Sequence, residues 1–117
     1  MSETPASSPI VIEKRDNGIV ARVNVKLLED KHLKMLIQMI DESAGDPDVS
    51  VVVIDLSKVQ LVPSLGLGML MQLSTKCKAR QQRLKLAAMP VPVRQMFSIT
   101  KLDRILELSD SVDAAME

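Results

Sequence analysis

The stretch VVVIDLSKVQLVPSLGLGMLMQLSTKCKAR, residues Val51–Arg80, determines the fold that we expect for this chain. It opens with the apolar run Val51 to Asp55, which is typical of a strand covered on both faces. After a short connection, the segment from Ser64 or Leu65 to about Gln81 has helical periodicity with a broad apolar sector. A buried strand followed by such a helix predicts a β-α-β unit and hence a parallel sheet.

A hairpin is predicted upstream of this stretch. Two short β-branched runs, Ile10 to Lys14 and Ile19 to Val25, flank the sequence Arg15-Asp16-Asn17-Gly18. The Asn-Gly pair is a strong hairpin signal because both residues tolerate positive φ. We therefore expect one antiparallel pair at the edge of the sheet.

The remaining segments alternate between helix and strand. Leu33, Leu36, Ile37 and Ile40 follow the spacing of an amphipathic helix. Downstream of the central stretch, the predicted elements are a strand at 84–87, a helix at 91–99, a strand at 104–108 and a helix at 109–117 capped by Ser109 or Asp110. The sequence thus predicts one α/β domain over residues 10–117, with about five strands in a mixed, mainly parallel sheet and about four helices. A flexible N-terminal tail, residues 1–9, precedes it.

Composition narrows the class of partner. The 117 residues are 46% hydrophobic, enough for one core, and they include one Phe and no Trp or Tyr to stack on bases. Fifteen basic and fifteen acidic residues cancel, which argues against nucleic acid and anionic membrane partners. The single cysteine, the start Met-Ser-Glu-Thr-Pro without a signal-peptide pattern and the absence of a long apolar run together predict a cytoplasmic protein.

Most signatures of catalysis are missing. His32 is expected at the surface and Cys77 in the core, and neither has metal-ligating partners at suitable spacing. Gly66-Leu67-Gly68 is not followed by the Lys of a phosphate-binding loop, and Met71 stands where a dinucleotide fingerprint needs its third glycine. Asp55, at a strand end, is expected to accept hydrogen bonds from the following turn. We therefore expect no enzyme, catalytic residue, metal or cofactor.

Ser64 has two compatible interpretations. A serine just before a helix is a preferred N-cap, whose hydroxyl accepts a backbone N–H bond. A phosphate on the same hydroxyl would lie at the positive end of the helix dipole and would act on a docked partner. Leu65 falls near the polar sector of the helix and is predicted to be an exposed contact residue.

These features resemble the STAS domain, a family named for sulphate transporters and anti-sigma-factor antagonists. The similar residues are Val51 to Val59, Ser64, Gly66-Leu67-Gly68, Phe97 to Asp103 and the segment Ser109 to Met116. The resemblance implies a non-enzymatic switch that binds a serine-kinase anti-sigma factor when unphosphorylated, with Ser64 as phosphoacceptor and a phosphatase to reverse it. The predicted partner-binding residues are Pro63, Ser64, Leu65, Gly66, Gly68, Met69 and Gln72.

Two positions depart from the family pattern and keep alternatives open. The family commonly has Asp-Ser-Ser or Asp-Ser-Thr before Gly-Leu-Gly, whereas this chain has Pro63-Ser64-Leu65. One alternative is an unphosphorylated scaffold or adaptor of the same fold. The other is a nucleotide- or anion-binding module that uses the N–H groups after Ser64.

Overall fold

The computed structural model describes residues 8–116, which form one five-stranded sheet with helices on both faces. The strands are β1 (Ile10–Arg15), β2 (Gly18–Val23), β3 (Val51–Asp55), β4 (Arg83–Ala87) and β5 (Glu107–Ser109). The α-helices are α1 (Asp30–Ser43), α2 (Ser64–Ala79), α3 (Val91–Ile99) and α4 (Val112–Met116), and a 3₁₀ turn covers Leu102–Arg104.

The order of strands in the sheet follows the order in the chain, β1-β2-β3-β4-β5. β1 pairs with β2 in antiparallel orientation, and the other three pairs are parallel. The predicted mixed, mainly parallel α/β sheet with its opening hairpin is therefore confirmed.

Each face of the sheet has its own core. Along β3, Val52 and Ile54 join the large aliphatic cluster formed with helices α1, α2 and α3. Val51 and Val53 point the other way, into a small cluster covered by α4. This alternation explains why β3 is apolar throughout, since both of its faces are buried. On the α4 side, the buried Lys85 donates from Nζ to the carbonyl of Ala115 at 2.8 Å and ties that helix to the sheet.

The hairpin forms as predicted, but Gly18 does not lie in its turn. Arg15 pairs with Gly18, so the two-residue loop is Asp16-Asn17, and neither loop residue has positive φ. A Cβ atom on Gly18 would lie 2.5 Å from the carbonyl oxygen of Val51. Glycine is therefore required here by the close approach of β2 and β3 rather than by turn geometry.

The C-terminal region differs from the prediction in two places. The predicted strand at 104–108 is wrong in its first half because Lys101, with φ of 63°, ends α3 and leads into the 3₁₀ turn. β5 then pairs with β4 over three residues only. The predicted caps of the last helix are also wrong, since the Oγ of Ser111 accepts the N–H of Ala114 at 3.0 Å.

The predicted N-terminal tail lies mostly outside the described residues. Of residues 1–9, only Ser8 and Pro9 are described, and the carbonyl of Pro9 accepts the N–H of Asn24 at 2.7 Å. Within residues 8–116, none of the helices combines the length and apolar content that crossing a membrane requires.

Candidate functional site

Strands β2, β3 and β4 are parallel, so their carboxyl ends lie side by side at one end of the sheet. The loops that lead to α1, α2 and α3 begin there and lie together. Open α/β sheets commonly bind ligands outside the carboxyl ends of their strands. Ser64 lies here as the first residue of α2. The fold therefore places the serine singled out in the sequence in a position suited to binding.

Ser64 is not the N-cap of its helix, so that prediction is wrong. Pro63 is the N-cap, in an extended conformation with ψ of 157°, and its carbonyl accepts the N–H of Gly66 at 2.8 Å and of Leu67 at 3.2 Å. With α2 already begun at Ser64, the exposed hydroxyl forms no hydrogen bond with the described residues. The side chain is consequently free to be modified or to contact a partner.

Three exposed leucines lie on the two joined loops and on the first turn of α2, and we call them the leucine patch: Leu27, Leu61 and Leu65. Their exposed fractions are 41%, 51% and 65%, respectively. Leu27 and Leu61 form an isolated parallel bridge, and Leu27 and Leu65 line one shallow depression of about 290 Å³ together with Pro63. Large aliphatic side chains gathered in this way mark a protein-interaction surface more often than scattered single ones do.

The patch rests on a stiff pair of loops. The carbonyl of Lys26 accepts the N–H groups of Gln60 at 2.7 Å and Leu61 at 3.1 Å, and the carbonyl of Leu61 accepts the N–H of Leu28 at 3.0 Å. These bonds join the loop after β2 to the loop after β3. The surface around Ser64 is therefore largely preformed.

The other predicted contact residues differ in exposure. Gly68 and Gln72 are exposed on α2, and Met69 is half-buried against the core. Gly66 is buried, and a Cβ atom there would lie 2.8 Å from Cδ1 of Leu33. Gly66 therefore allows α2 to pack closely on α1 and supports the surface from beneath.

The depression beside Leu65 carries negative charge. Glu29 and Asp30, at the start of α1, line it with Pro63 and Leu65. The negative charge of this lining, reduced at Glu29 by Lys31 Nζ at 3.9 Å, opposes the binding of a free anion beside the first turn of α2.

Asp55 has the structural role expected of it. Its carboxylate accepts the N–H of Ser57 and an N–H of the Arg22 guanidinium, both at 2.9 Å. Arg22 also binds Glu13, and hydrogen bonds from Arg15 and then Arg22 lower the pKa of the Glu13 carboxyl. This network fixes the end of β3, and both carboxylate oxygens of Asp55 are used in it.

The lone histidine and the lone cysteine are structural. Cys77 is fully buried, as predicted, and burial raises the pKa of its thiol. His32 is half-buried, and its Nδ1 accepts the N–H of Glu29 at 3.2 Å at the start of α1. No group of three or more His, Cys, Asp or Glu side chains in the described part of the chain could hold a metal ion.

Sequence reasoning found Leu65 but missed Leu27 and Leu61. Each belongs to an apolar pair in a loop, Leu27-Leu28 and Leu61-Val62, of which one member is buried and the other exposed. Such a pair indicates that the loop is anchored in the core by one of its two apolar residues. They do not indicate which member faces the solvent.

Comparisons with known proteins agree with this architecture. The model of the STAS domain family matches residues 10–115. An anti-sigma factor antagonist from Mycobacterium paratuberculosis is 26% identical with a TM-score of 0.75, over 92% of this chain and 89% of that one. Among curated protein sequences, none matches this chain.

Structures of the Bacillus protein SpoIIAA share the fold at lower identity. The anti-sigma factor antagonist in its unphosphorylated form is 16% identical with a TM-score of 0.75, over 92% of both chains. The phosphorylated form is 15% identical with a TM-score of 0.68, over 92% of this chain and 96% of that one. With the family model spanning nearly all described residues, from the opening hairpin to α4, the chain belongs to the STAS domain family.

Proposed function

We propose that the protein is a non-enzymatic, cytoplasmic signalling domain that binds a serine-kinase anti-sigma factor while Ser64 is unphosphorylated. Phosphorylation of Ser64 by that kinase releases the partner, and a phosphatase restores binding. Membership of the STAS family and similarity to anti-sigma factor antagonists support this class of partner. The proposed contact residues are Pro63, Ser64, Leu65, Gly66, Gly68, Met69 and Gln72, with Leu27 and Leu61 added from the structure.

One observation carries the proposal: Ser64, an exposed serine whose hydroxyl forms no hydrogen bond within residues 8–116, directly precedes Leu65 of the leucine patch. A partner that covers the leucine patch gains apolar burial worth roughly 25 cal/mol per Å². A partner that covers Leu65 also comes close to Ser64, the preceding residue of α2. The affinity for the partner and the sensitivity of the complex to phosphorylation of Ser64 therefore depend on the same surface.

A phosphate on Ser64 would affect the complex far more than the fold. It adds about 1.5 to 2 negative charges at neutral pH. On the free protein, those charges stay in water at the favourable end of the α2 dipole. In the complex they would be taken out of water next to Pro63 and Leu65, which line the depression that Glu29 and Asp30 also line, and the cost of desolvation is high.

The switch is tested by capture with four matched baits. Wild-type protein and Ser64→Ala should retain an ATP-binding kinase from the lysate of the source cells, and Ser64→Asp should lose it. Ser98→Asp is the control, because Ser98 is an exposed helical serine on α3. The captured kinase with ATP should add one phosphate, located by mass spectrometry at Ser64. Equal capture by Ser64→Asp, together with no mass gain, would contradict the switch.

A constitutive scaffold or adaptor is the second candidate, favoured by Pro63 and Leu65 at positions where the family commonly has an acid and a second hydroxyl. It predicts a complex that Ser64→Asp leaves intact and Leu65→Asp weakens. Ile99→Asp is the matched control for Leu65→Asp, since Ile99 is 80% exposed on another helix.

An anion- or nucleotide-binding module is the remaining alternative, and local charge disfavours it. No Lys or Arg lies between Val59 and Leu73, and Glu29 and Asp30 face the start of α2. Calorimetry with ATP, GTP and inorganic phosphate would reveal such binding as measurable heat that Glu29→Gln increases.

A further inference from the structure

A second feature lies at the same end of the sheet and is lined by residues other than those of the leucine patch. It is an open groove of about 730 Å³ between the three loops that follow β2, β3 and β4. Residues 24–26 form one wall, Ser57, Lys58 and Gln60 form another, and Pro90 and Pro92 close it. This volume is within the range of ligand-binding clefts.

The walls of the groove are held in place by backbone hydrogen bonds. The carbonyl of Lys26 accepts the N–H of Gln60 at 2.7 Å, which ties the first wall to the second. The N–H of Asn24 is bonded to the carbonyl of Pro9 at 2.7 Å. A ligand would therefore meet a preformed surface and would not bear the cost of ordering it.

The charged residues that line the groove are all positive. Lys26 and Lys58 line it, both exposed, and no carboxylate lines it. Within residues 8–116, neither lysine forms a salt bridge, whereas Lys14 and Lys76 elsewhere on the surface pair with Asp46 and Asp41. The groove therefore has two unneutralised cations in a protein whose total charges balance.

The remaining lining matches a peptide better than a small anion. The side-chain amide of Gln60 offers a donor and an acceptor of the kind that pair with a peptide backbone, and Asn24, whose Nδ2 donates to the carbonyl of Ser8 at 3.4 Å, offers its amide oxygen as an acceptor. Val25 and the two prolines supply apolar contacts. Aromatic side chains, which would stack on a nucleotide base, are absent from the lining.

We propose that this groove is a docking site for an acidic, partly apolar segment of a partner protein, whose carboxylates pair with Lys26 and Lys58. The two lysines steer the segment into the groove and set its register, while Val25, Pro90 and Pro92 contact its apolar side chains. The site is separate from the Ser64 switch and does not depend on phosphorylation.

The test uses a displayed library of random octapeptides, panned in parallel against wild-type protein and against Lys26→Glu/Lys58→Glu. The best peptide, labelled with fluorescein, is then titrated by fluorescence anisotropy. Peptides rich in Asp and Glu should be enriched by the wild type alone. Charge reversal of both lysines should raise the Kd at least about tenfold, and Lys26→Gln/Lys58→Gln should give an intermediate loss.

Two controls make the result specific. Lys34→Glu/Lys101→Glu makes the same change of charge at exposed lysines outside the groove and should alter the Kd by less than about twofold. Leu65→Asp should leave peptide binding unchanged, so failure of the leucine patch as an interface and failure of the groove remain distinguishable. Replacing two Glu of the peptide by Lys should restore binding to the charge-reversed protein.

Three results would overturn the proposal. One is the absence of any peptide enriched by wild type over the charge-reversed protein, and another is enrichment without acidic residues. The third is displacement of the peptide by ATP or inorganic phosphate at micromolar concentration, which would assign the groove to a small anion.

Discussion

Gly66 and Gly68, two residues apart in α2, should respond to the same substitution with opposite changes in stability. A Cβ atom on Gly68 meets no atom within 4 Å. Gly68→Ala should therefore stabilise the protein by about 0.8 to 1.0 kcal/mol, the usual advantage of alanine over glycine within a helix.

Gly66→Ala has the same helical advantage but meets a full core. Its Cβ would lie 2.8 Å from Cδ1 of Leu33 and 3.0 Å from Cγ1 of Val62, and both side chains are fully buried. Overpacking of this kind costs about 1 to 3 kcal/mol. The net effect should lie between neutral and a destabilisation of about 2 kcal/mol, so the two variants should differ by about 1 to 3 kcal/mol.

Urea unfolding followed by circular dichroism measures this difference directly. With a typical slope of about 2 kcal/mol per M, a gap of about 2 kcal/mol separates the two midpoints by about 1 M. Gly66→Ala stabilising as much as Gly68→Ala would refute the close contact of α1 and α2. Destabilisation by Gly68→Ala would refute the helical start of α2 around Ser64.

Two further substitutions test a buried hydrogen bond and a surface ion pair away from the candidate site. Nε2 of the buried Gln82 donates to the carbonyls of Ala44 at 2.7 Å and Val49 at 3.1 Å, while its Oε1 has no partner within residues 8–116. Gln82→Leu removes both donated bonds together with the unsatisfied oxygen, and it should lower the free energy of unfolding by about 1 to 3 kcal/mol in urea titrations. The two-pronged hydrogen bond from Arg83 lowers the pKa of the Glu107 carboxyl from its ordinary value of 4.5. The pair therefore stabilises the fold above pH 4.5 and loses this effect as the pH falls through the lowered pKa. Glu107→Gln should flatten the acid side of the stability profile by less than about 1 kcal/mol.

Both changes have matched controls on α1. Gln38 and Glu42 are exposed, and neither side chain forms a hydrogen bond or salt bridge within residues 8–116. Gln38→Leu and Glu42→Gln should shift stability by less than about 0.5 kcal/mol. If Gln38→Leu and Gln82→Leu lowered the free energy of unfolding equally, the hydrogen bonds from Gln82 to the carbonyls of Ala44 and Val49 would not stabilise the fold. An unchanged acid profile in Glu107→Gln would mean that the ion pair contributes nothing measurable.

The order of elements could be predicted because periodicity reports burial directly. Apolar patterning predicts β3 and α3 at their observed bounds, 51–55 and 91–99. The C-terminal region could not be predicted as well because its segments are short and weakly patterned. There, the left-handed Lys101 and the cap at Ser111 depend on how the chain returns to pair with β4.

For the candidate site, periodicity alone is enough to predict that an apolar helix begins at Ser64 or Leu65, after a buried strand and a short connection, and that Leu65 lies away from the apolar sector of that helix. The contribution of Leu27 and Leu61 to the same patch becomes visible in the folded chain alone, because these residues come from loops that meet only when β2 and β3 pair. The folded chain also shows that Ser64 is free, since Pro63 already occupies the N-cap position. Periodicity describes single elements, whereas a binding surface at the edge of a parallel sheet is built from loops distant in sequence.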